Sequence, residues 1–129
     1  MEKITSLTAS ESIVMKCIWD ANEEISLGDI FIMCNERFHK DWKYQTVSTF
    51  LIKLVQKGFI SPRREGHRIL YEILIPEENY IAQQAYEFVH FWNRGSASQF
   101  LISFYRDQKI TKEEIQDLKK ILDTHGEKI

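Results

Sequence analysis

The chain has 129 residues, of which 43% are hydrophobic and 28% are charged, so it is long enough for one folded domain and too apolar to be disordered. Its longest uninterrupted apolar run is the five residues 30–34, whereas a helix needs about twenty to cross a bilayer, so we expect no membrane span. The formal net charge is only −2, which by itself gives no reason to expect a nucleic-acid partner.

Two helices are predicted at the N-terminus. Thr8-Ala-Ser-Glu11 is a capping-box pattern, in which a hydroxyl and a carboxylate satisfy two backbone N–H groups, and it predicts a helix from there to about Asp20. Ser26 is suited to cap the second helix, which the apolar spacing carries to Phe38.

The cysteines are Cys17 and Cys34, one on the apolar stripe of each of these helices. Two cysteines in such positions do not make the disulfide framework of a small secreted domain. We therefore expect a protein of the reducing cytoplasm.

A third helix is predicted from about Tyr44 to Lys57, ended by Gly58. Apolar residues recur on one face of it, at Val47, Phe50, Leu51, Leu54 and Val55. The other side carries small polar side chains near the N-terminus of the helix, which are Gln45, Thr46, Ser48 and Thr49.

The periodicity then changes from that of a helix to that of a β-hairpin. Strands are predicted over 60–64 and 68–75, with Glu65-Gly66-His67 as the turn and Pro62 tolerable only at a sheet edge. The second strand alternates, and we expect one face of it to carry Ile69, Tyr71, Ile73 and Ile75.

Three amphipathic helices are predicted after the hairpin. Pro76 is expected at the first helical position of a helix that reaches about Arg94, Ser96 caps the next, and Thr111 caps the last, which Gly126 closes. The only plausible boundary is at Ile75/Pro76, so the expected domains are 1–75 and 76–129.

Charge is distributed unevenly along these elements. Residues 1–36 carry two basic and seven acidic side chains, whereas residues 37–71 carry eight basic and two acidic ones, a net charge of +6. Residues 72–129 are acidic again, with a net charge of −3. A basic segment between acidic ones indicates a surface that binds a polyanion, although basic residues also cluster by chance on solvated surfaces.

Three helices followed by a hairpin give a mainly α fold with a small β-hairpin, the layout of a winged helix-turn-helix. In that layout the third helix enters the major groove, so base-reading roles are predicted for Gln45, Thr46, Ser48 and Thr49. Contacts with the DNA backbone are predicted for Lys43, Tyr44, Lys53, Arg63, Arg64, His67 and Arg68.

Four segments together span roughly residues 7–123, and they are LTASESIVMKCIWD, DWKYQTVSTFLIKLVQKGFI, RREGHRILYEILIPEENYI and ITKEEIQDLKKIL. These segments resemble the penicillinase-repressor family, the BlaI/MecI-type transcriptional repressors. The resemblance implies a homodimeric repressor that binds palindromic operators in bacterial promoters and, in some members, is inactivated by a protease downstream of a membrane sensor.

The chain departs from the family pattern at functionally important positions. Gln45 and Ser48 stand where members often have Lys and Arg, so we expect a different operator sequence. Ser103-Phe104 occupies the position of the Asn-Phe bond cleaved in the β-lactam members, which makes it a candidate cleavage site and argues against release by cleavage alone.

The helices after residue 76 carry more apolar surface than so short a segment can bury by itself, which favours a second copy of the chain over packing against the winged helix. The predicted dimerisation residues are Tyr80, Ile81, Phe88, Phe91, Trp92, Phe100, Leu101, Phe104, Tyr105, Ile115, Leu118, Ile121 and Leu122.

An enzyme is not expected. Glu36-x-x-His39 and Glu87-x-x-His90 match the spacing of metal ligands in di-iron bundles, but chance produces such pairs readily, and neither a phosphate-binding loop nor a nucleophile motif is present. We therefore expect no catalytic residue, no metal and no cofactor. The alternative to a repressor is a winged-helix module that binds proteins and has lost DNA binding, which the two missing basic side chains favour.

Overall fold

The computed structural model describes residues 3–107 and 109–125, which divide after Gln84 into two compact units. The elements in chain order are α1 (Ala9–Ala21), β1 (Ile25–Ser26), α2 (Leu27–Phe38), α3 (Tyr44–Gln56), β2 (Ile60–Glu65), β3 (Arg68–Ile73), α4 (Glu77–Trp92), α5 (Ala97–Arg106) and α6 (Lys112–His125). The predicted order of three helices, a hairpin and three further helices is confirmed. No helix among the described residues combines the length and the apolar content needed to cross a bilayer.

The helix starts follow the predicted caps. Thr8 Oγ1 accepts a hydrogen bond from the Glu11 N–H at 3.2 Å, and the Glu11 carboxylate accepts one from the Thr8 N–H at 2.9 Å. Ser26 caps α2 in the same way, through the Asp29 N–H at 3.2 Å. The prediction for Pro76 was wrong by one residue, because α4 begins at Glu77 and the Pro76 carbonyl accepts from helical N–H groups.

The sheet has the antiparallel order β1-β3-β2. Pro62 lies on the edge strand β2, as predicted, and the turn is shorter than expected because Glu65 pairs with Arg68. Of the residues predicted on one face of this strand, Tyr71 is buried whereas Ile69 is 37% exposed. β1 pairs with β3 only at Leu70 and Tyr71, so Ile69 lies beyond β1, nearer the tip of the hairpin.

The core of the first unit lies where α1, α2 and α3 pack against one another and against the sheet. Its fully buried side chains include Val14, Met15, Ile18, Ile30, Val47, Leu51, Leu54 and Phe59. Phe50 and Val55, predicted on the buried face of α3, are only half-buried.

The carboxylate of Glu11 is buried beside Lys57, whose Nζ lies 2.5 Å from Oε1. Burial opposes ionisation of the carboxyl, but the hydrogen bonds from Lys57 and Thr8 and the charge of Lys57 outweigh it, so the pKa of Glu11 lies below its ordinary value. This ion pair joins the start of α1 to the end of α3.

The start of α4, up to Gln84, belongs to the first unit, and Tyr80 holds it there. Its hydroxyl accepts a hydrogen bond from the Leu7 N–H at 2.9 Å, and its ring lies 5.8 Å from that of Trp19 and 5.5 Å from that of Phe59. Tyr80, which the sequence grouped with the dimerisation residues, is therefore half-buried against its own chain.

The second unit, which begins at Ala85 within α4, differs from the first in how little it buries. Among the described residues of α4, α5 and α6, none is buried. Phe100 packs edge-on against Phe88 and Phe104, while Phe91 is 75% exposed and Trp92 is 66% exposed. These helices present apolar side chains to the surface.

We expect Glu11→Gln to lower the free energy of unfolding by about 1–2 kcal/mol at pH 7, because it removes the charge that pairs with Lys57 and keeps the shape. Because the folded-state pKa of Glu11 is depressed, the contribution of its charge is present above the ordinary value of 4.5 and is lost as the pH falls through the folded pKa. The difference between wild type and variant should therefore shrink below that pH. Urea unfolding measured from pH 7 to pH 3 checks this.

Glu78→Gln is the matched control, since Glu78 is exposed on α4 and its replacement should change stability by less than about 0.5 kcal/mol. An equal stability loss in both variants, or a Glu11→Gln effect independent of pH, would contradict the role of the buried charge.

Candidate nucleic-acid interface

The helix α3 has one buried and one exposed side. Val47, Leu51 and Leu54 are completely buried. On the opposite side the exposed residues are Gln45, Thr49, Ile52 and Gln56. Their spacing of four, three and four residues places them in one row along the helix, here called the exposed stripe.

The predicted base-reading residues divide between the exposed stripe and its border. Gln45 and Thr49 belong to the stripe, whereas Thr46 and Ser48 are half-buried. The hydroxyl of Thr49 donates to the Gln45 carbonyl at 3.0 Å, so it offers only acceptor capacity to a ligand. Of the side chains in the stripe that present both a donor and an acceptor, Gln45 lies nearest the start of α3.

Ile52 is a surface residue to which sequence reasoning gave no role. It lies on the exposed stripe with 57% of its surface accessible. The available signal was its position among polar residues on the side of α3 opposite to the apolar face. Tyr44 is similarly exposed, at 52%, with its ring 5.4 Å from that of Phe31.

A side-chain clamp holds the connection between α2 and α3. The amide of Asn35 donates to the Trp42 carbonyl at 3.1 Å and accepts from the Trp42 N–H at 3.0 Å. The Trp42 ring lies 5.1 Å from that of Phe50, on α3. These contacts set the start of α3 relative to α2.

The wing, defined as β2, β3 and the turn between them, carries three arginines in different environments. Arg63 donates to both carboxylate oxygens of Glu24, at 2.8 and 2.9 Å, and to Glu65 at 3.1 Å. The hydrogen bond from Arg63 lowers the pKa of Glu24, and the two carboxylates raise that of Arg63. For Arg64 and Arg68, which are exposed, no carboxylate partner lies within the described part of the chain.

A cleft of about 290 Å³ brings three of the predicted backbone-contacting residues together. Tyr44, His67 and Arg68 line it, with Ser26, Leu27 and Gly28 at the N-terminus of α2. The start of α2, the start of α3 and the tip of the wing therefore share one side of the unit. Lys43 and Lys53 are exposed but do not line the cleft.

No group of three or more histidine, cysteine or carboxylate side chains is gathered as a metal site among residues 3–107 and 109–125. Glu36 and His39, which match a ligand spacing, lie at the end of α2, where His39 adopts a left-handed conformation with φ 53°.

The sequence of the chain is similar to those of known transcriptional repressors. The profile of the family described as Penicillinase repressor matches residues 7–124. The penicillinase repressor of Bacillus licheniformis is 27% identical over 125 residues, covering 97% of this chain and 95% of that protein. The methicillin resistance regulatory protein MecI of Staphylococcus aureus strain N315 is 24% identical over 120 residues, which are 93% of this chain and 95% of that protein.

A solved structure resembles part of the chain. It is the solution structure of the monomeric form of BlaI from Bacillus licheniformis in complex with the blaP half-operator. It is 29% identical, has a TM-score of 0.52, and covers 62% of this chain and 94% of that one.

We expect Glu24→Gln to raise affinity for duplex DNA about twofold to tenfold and to steepen its salt dependence by about one charge, because it removes the bidentate carboxylate that competes with phosphate for Arg63 and leaves only the single hydrogen bond to Glu65. Fluorescence anisotropy across a salt series checks this. Glu78→Gln removes the same charge from α4 and should leave the salt slope unchanged. An unaltered slope in Glu24→Gln would show that Arg63 lies outside the DNA-binding surface.

Proposed function

The chain belongs to the penicillinase repressor family, and from this premise we propose that it represses transcription by binding palindromic operator DNA as a homodimer. The observation that carries the proposal is the exposed stripe of α3, held outward by the buried face of the same helix. The similarity to a BlaI monomer bound to a half-operator supports it. Such a repressor acts in the cytoplasm, where the chromosome is.

Base reading is assigned to the exposed stripe. A glutamine amide at the start of a helix in the major groove matches the N6 and N7 atoms of adenine, which is the role proposed for Gln45. Ile52 offers an apolar surface to the methyl group of thymine, and Thr49 offers an acceptor. The stripe thus favours A·T pairs at the positions it reads, where a lysine and an arginine would favour guanine.

Backbone contacts are assigned to the side chains around the stripe. Tyr44, His67 and Arg68 line the cleft at the wing tip, and Lys43 precedes α3. Arg64, which has no carboxylate partner among the described residues, supplies another guanidinium. Lys53 and Arg63 complete the set, Arg63 after giving up its carboxylate partners. These contacts attract any duplex and orient α3 in its groove.

Dimerisation is assigned to the second unit, on which Phe91, Trp92 and Tyr105 are each at least 66% exposed. An apolar groove of about 290 Å³ also runs between α5 and α6. A second copy of the chain supplies both the cover for this surface and a second α3. Two half-sites about 34 Å apart then bind together, which compensates for the few phosphate contacts of one unit.

Release from DNA follows a signal, either proteolysis or another one. The candidate bond Ser103-Phe104 lies inside α5, and the Ser103 hydroxyl donates to the Gln99 carbonyl at 3.2 Å. A protease needs an extended substrate, so cleavage there requires α5 to unwind locally. A sensor or protease acting on this segment is the corresponding partner.

Replacing base-reading and backbone residues should give two distinct phenotypes. Gln45→Ala should lose about 1–3 kcal/mol of discrimination at one operator position, because the amide is the reading group. Arg64→Ala should weaken binding to operator and unrelated duplex alike and reduce the salt slope by about one. Footprinting upstream of the protein's own gene would define the operator, and competition binding would then measure both effects.

Uniform weakening by Gln45→Ala would refute its base-reading role. Wild-type protein with no affinity for duplex at low salt would favour the protein-interaction module instead.

We expect analytical ultracentrifugation at micromolar concentration to give about twice the monomer mass. A double variant, Phe91→Ser with Trp92→Ser, should dissociate the dimer, because it replaces the most exposed aromatic surface by hydroxyls. Ile32→Ser is the matched control, since Ile32 is 50% exposed but lies on α2. A wild-type protein that stays monomeric at all concentrations would contradict the dimer.

A further inference from the structure

The two cysteines meet inside the core of the first unit. Cys17 on α1 and Cys34 on α2 are both completely buried, and their Sγ atoms lie 3.7 Å apart. The thiol of Cys34 donates to the sulfur of Cys17. Two free thiols in direct contact form a dithiol, whose chemistry differs from that of a single buried cysteine.

We propose that Cys17 and Cys34 form an oxidation site at which a hydroperoxide converts the two thiols to a disulfide and so weakens DNA binding. The proposed reaction of the thiols depends only on the packing of α1 against α2. The consequence for DNA rests on the proposed function.

The reaction balances with the peroxide as the only oxidant. The thiolate of Cys17 attacks one peroxide oxygen, which breaks the O–O bond and leaves a sulfenic acid and hydroxide. The hydroxide takes the proton of Cys34, whose thiolate attacks the sulfenic sulfur and expels a second hydroxide. That hydroxide recovers the proton first lost by Cys17, so two thiols and one hydrogen peroxide give one disulfide and two waters.

The contact between the thiols assigns the two roles. The hydrogen bond from Cys34 lowers the pKa of Cys17 against the effect of burial, and the positive charge of Arg37 adds to this. The same hydrogen bond raises the pKa of Cys34, as burial does. We therefore assign the attack to Cys17 and the resolving step to Cys34, and exchanging the two roles would leave the overall reaction unchanged.

Access comes from the helix ends. Each cysteine lies four residues before the last residue of its helix, Ala21 in α1 and Phe38 in α2. An exposed ion pair between Asp20 and Arg37, at 2.8 Å, joins these two ends. Helix ends open locally more often than the core, so a small peroxide reaches the thiols when this pair separates.

Disulfide formation changes the platform on which α3 rests. The sulfurs must approach to about 2.0 Å, which is about 1.7 Å closer than in the reduced protein. Val47 and Leu51 of α3 belong to the same core cluster as both cysteines. A close-packed interior transmits such a displacement, so the exposed stripe moves relative to the wing.

The test treats the full chain with hydrogen peroxide, follows the intact mass after thiol alkylation, and measures operator affinity in parallel. Wild type should lose two hydrogens, resist alkylation and bind DNA about tenfold more weakly, and a dithiol reductant should reverse all three changes. Cys17→Ala and Cys34→Ala should each keep their DNA affinity under peroxide.

Asp20→Asn keeps both thiols, so this variant still tests the proposal if the cysteine variants do not fold. It should oxidise several-fold faster than wild type, because it removes the ion pair across the helix ends, whereas Asp117→Asn on α6 should not. Unreacted thiols under excess peroxide, or a disulfide that leaves operator affinity unchanged, would overturn the proposal. A reduced protein that binds no duplex would overturn the proposed function instead, while the mass measurement still decides the thiol chemistry.

Discussion

The burial of one face of α3 is the interaction on which the candidate interface depends. Val47, Leu51 and Leu54 are completely buried, and each such side chain contributes about 1.5–3 kcal/mol relative to exposure. Rotation of α3 about its axis would lose this energy, so the exposed stripe has one orientation. The clamp of Asn35 on Trp42 holds the start of the helix, and the ion pair of Lys57 with Glu11 holds its end.

Charge pairing within the chain changes what the basic segment can offer to a polyanion. Of the eight basic side chains in residues 37–71, Arg37, Lys57 and Arg63 each pair with a carboxylate. Glu11 pairs with Lys57 in the core, so that charge is unavailable to DNA. The pair of Glu24 with Arg63 is exposed, and phosphate can compete for it. The basic side chains free to bind a polyanion are therefore fewer than the eight in the sequence, and phosphate can recruit those of the two exposed pairs, Arg37 and Arg63.

Local chemistry explains which features were predictable. The Thr8 and Ser26 caps, the centre of the buried face of α3 and the edge position of Pro62 each depend on residues within a few positions, and they were predicted correctly, whereas Phe50 and Val55 at the sides of that face are only half-buried. The two-residue strand β1 is too short to show a periodicity. The partner of Arg63 lies 39 residues away, at Glu24, and composition does not reveal such a pair. The roles of Gln45, Thr46, Ser48 and Thr49 stay predictions, although their exposure now separates Gln45 and Thr49 from the other two.

Each of the two units lacks a property that the proposed repressor needs and that the other unit would supply. The first has a filled core and the candidate DNA-binding surface, but the few phosphate contacts proposed for one copy would bind duplex only weakly at physiological salt. The second buries no side chain of its described helical residues and leaves aromatic side chains exposed, and in the proposed dimer a second copy would cover them. If a dimer binds two half-sites as proposed, its affinity depends on how its two α3 helices are spaced, so a change in either unit would alter operator affinity. Proteolysis of α5 would act through the pairing of copies, whereas oxidation of Cys17 and Cys34 would act on each α3 separately, so the two signals are separable by their effect on the oligomeric state.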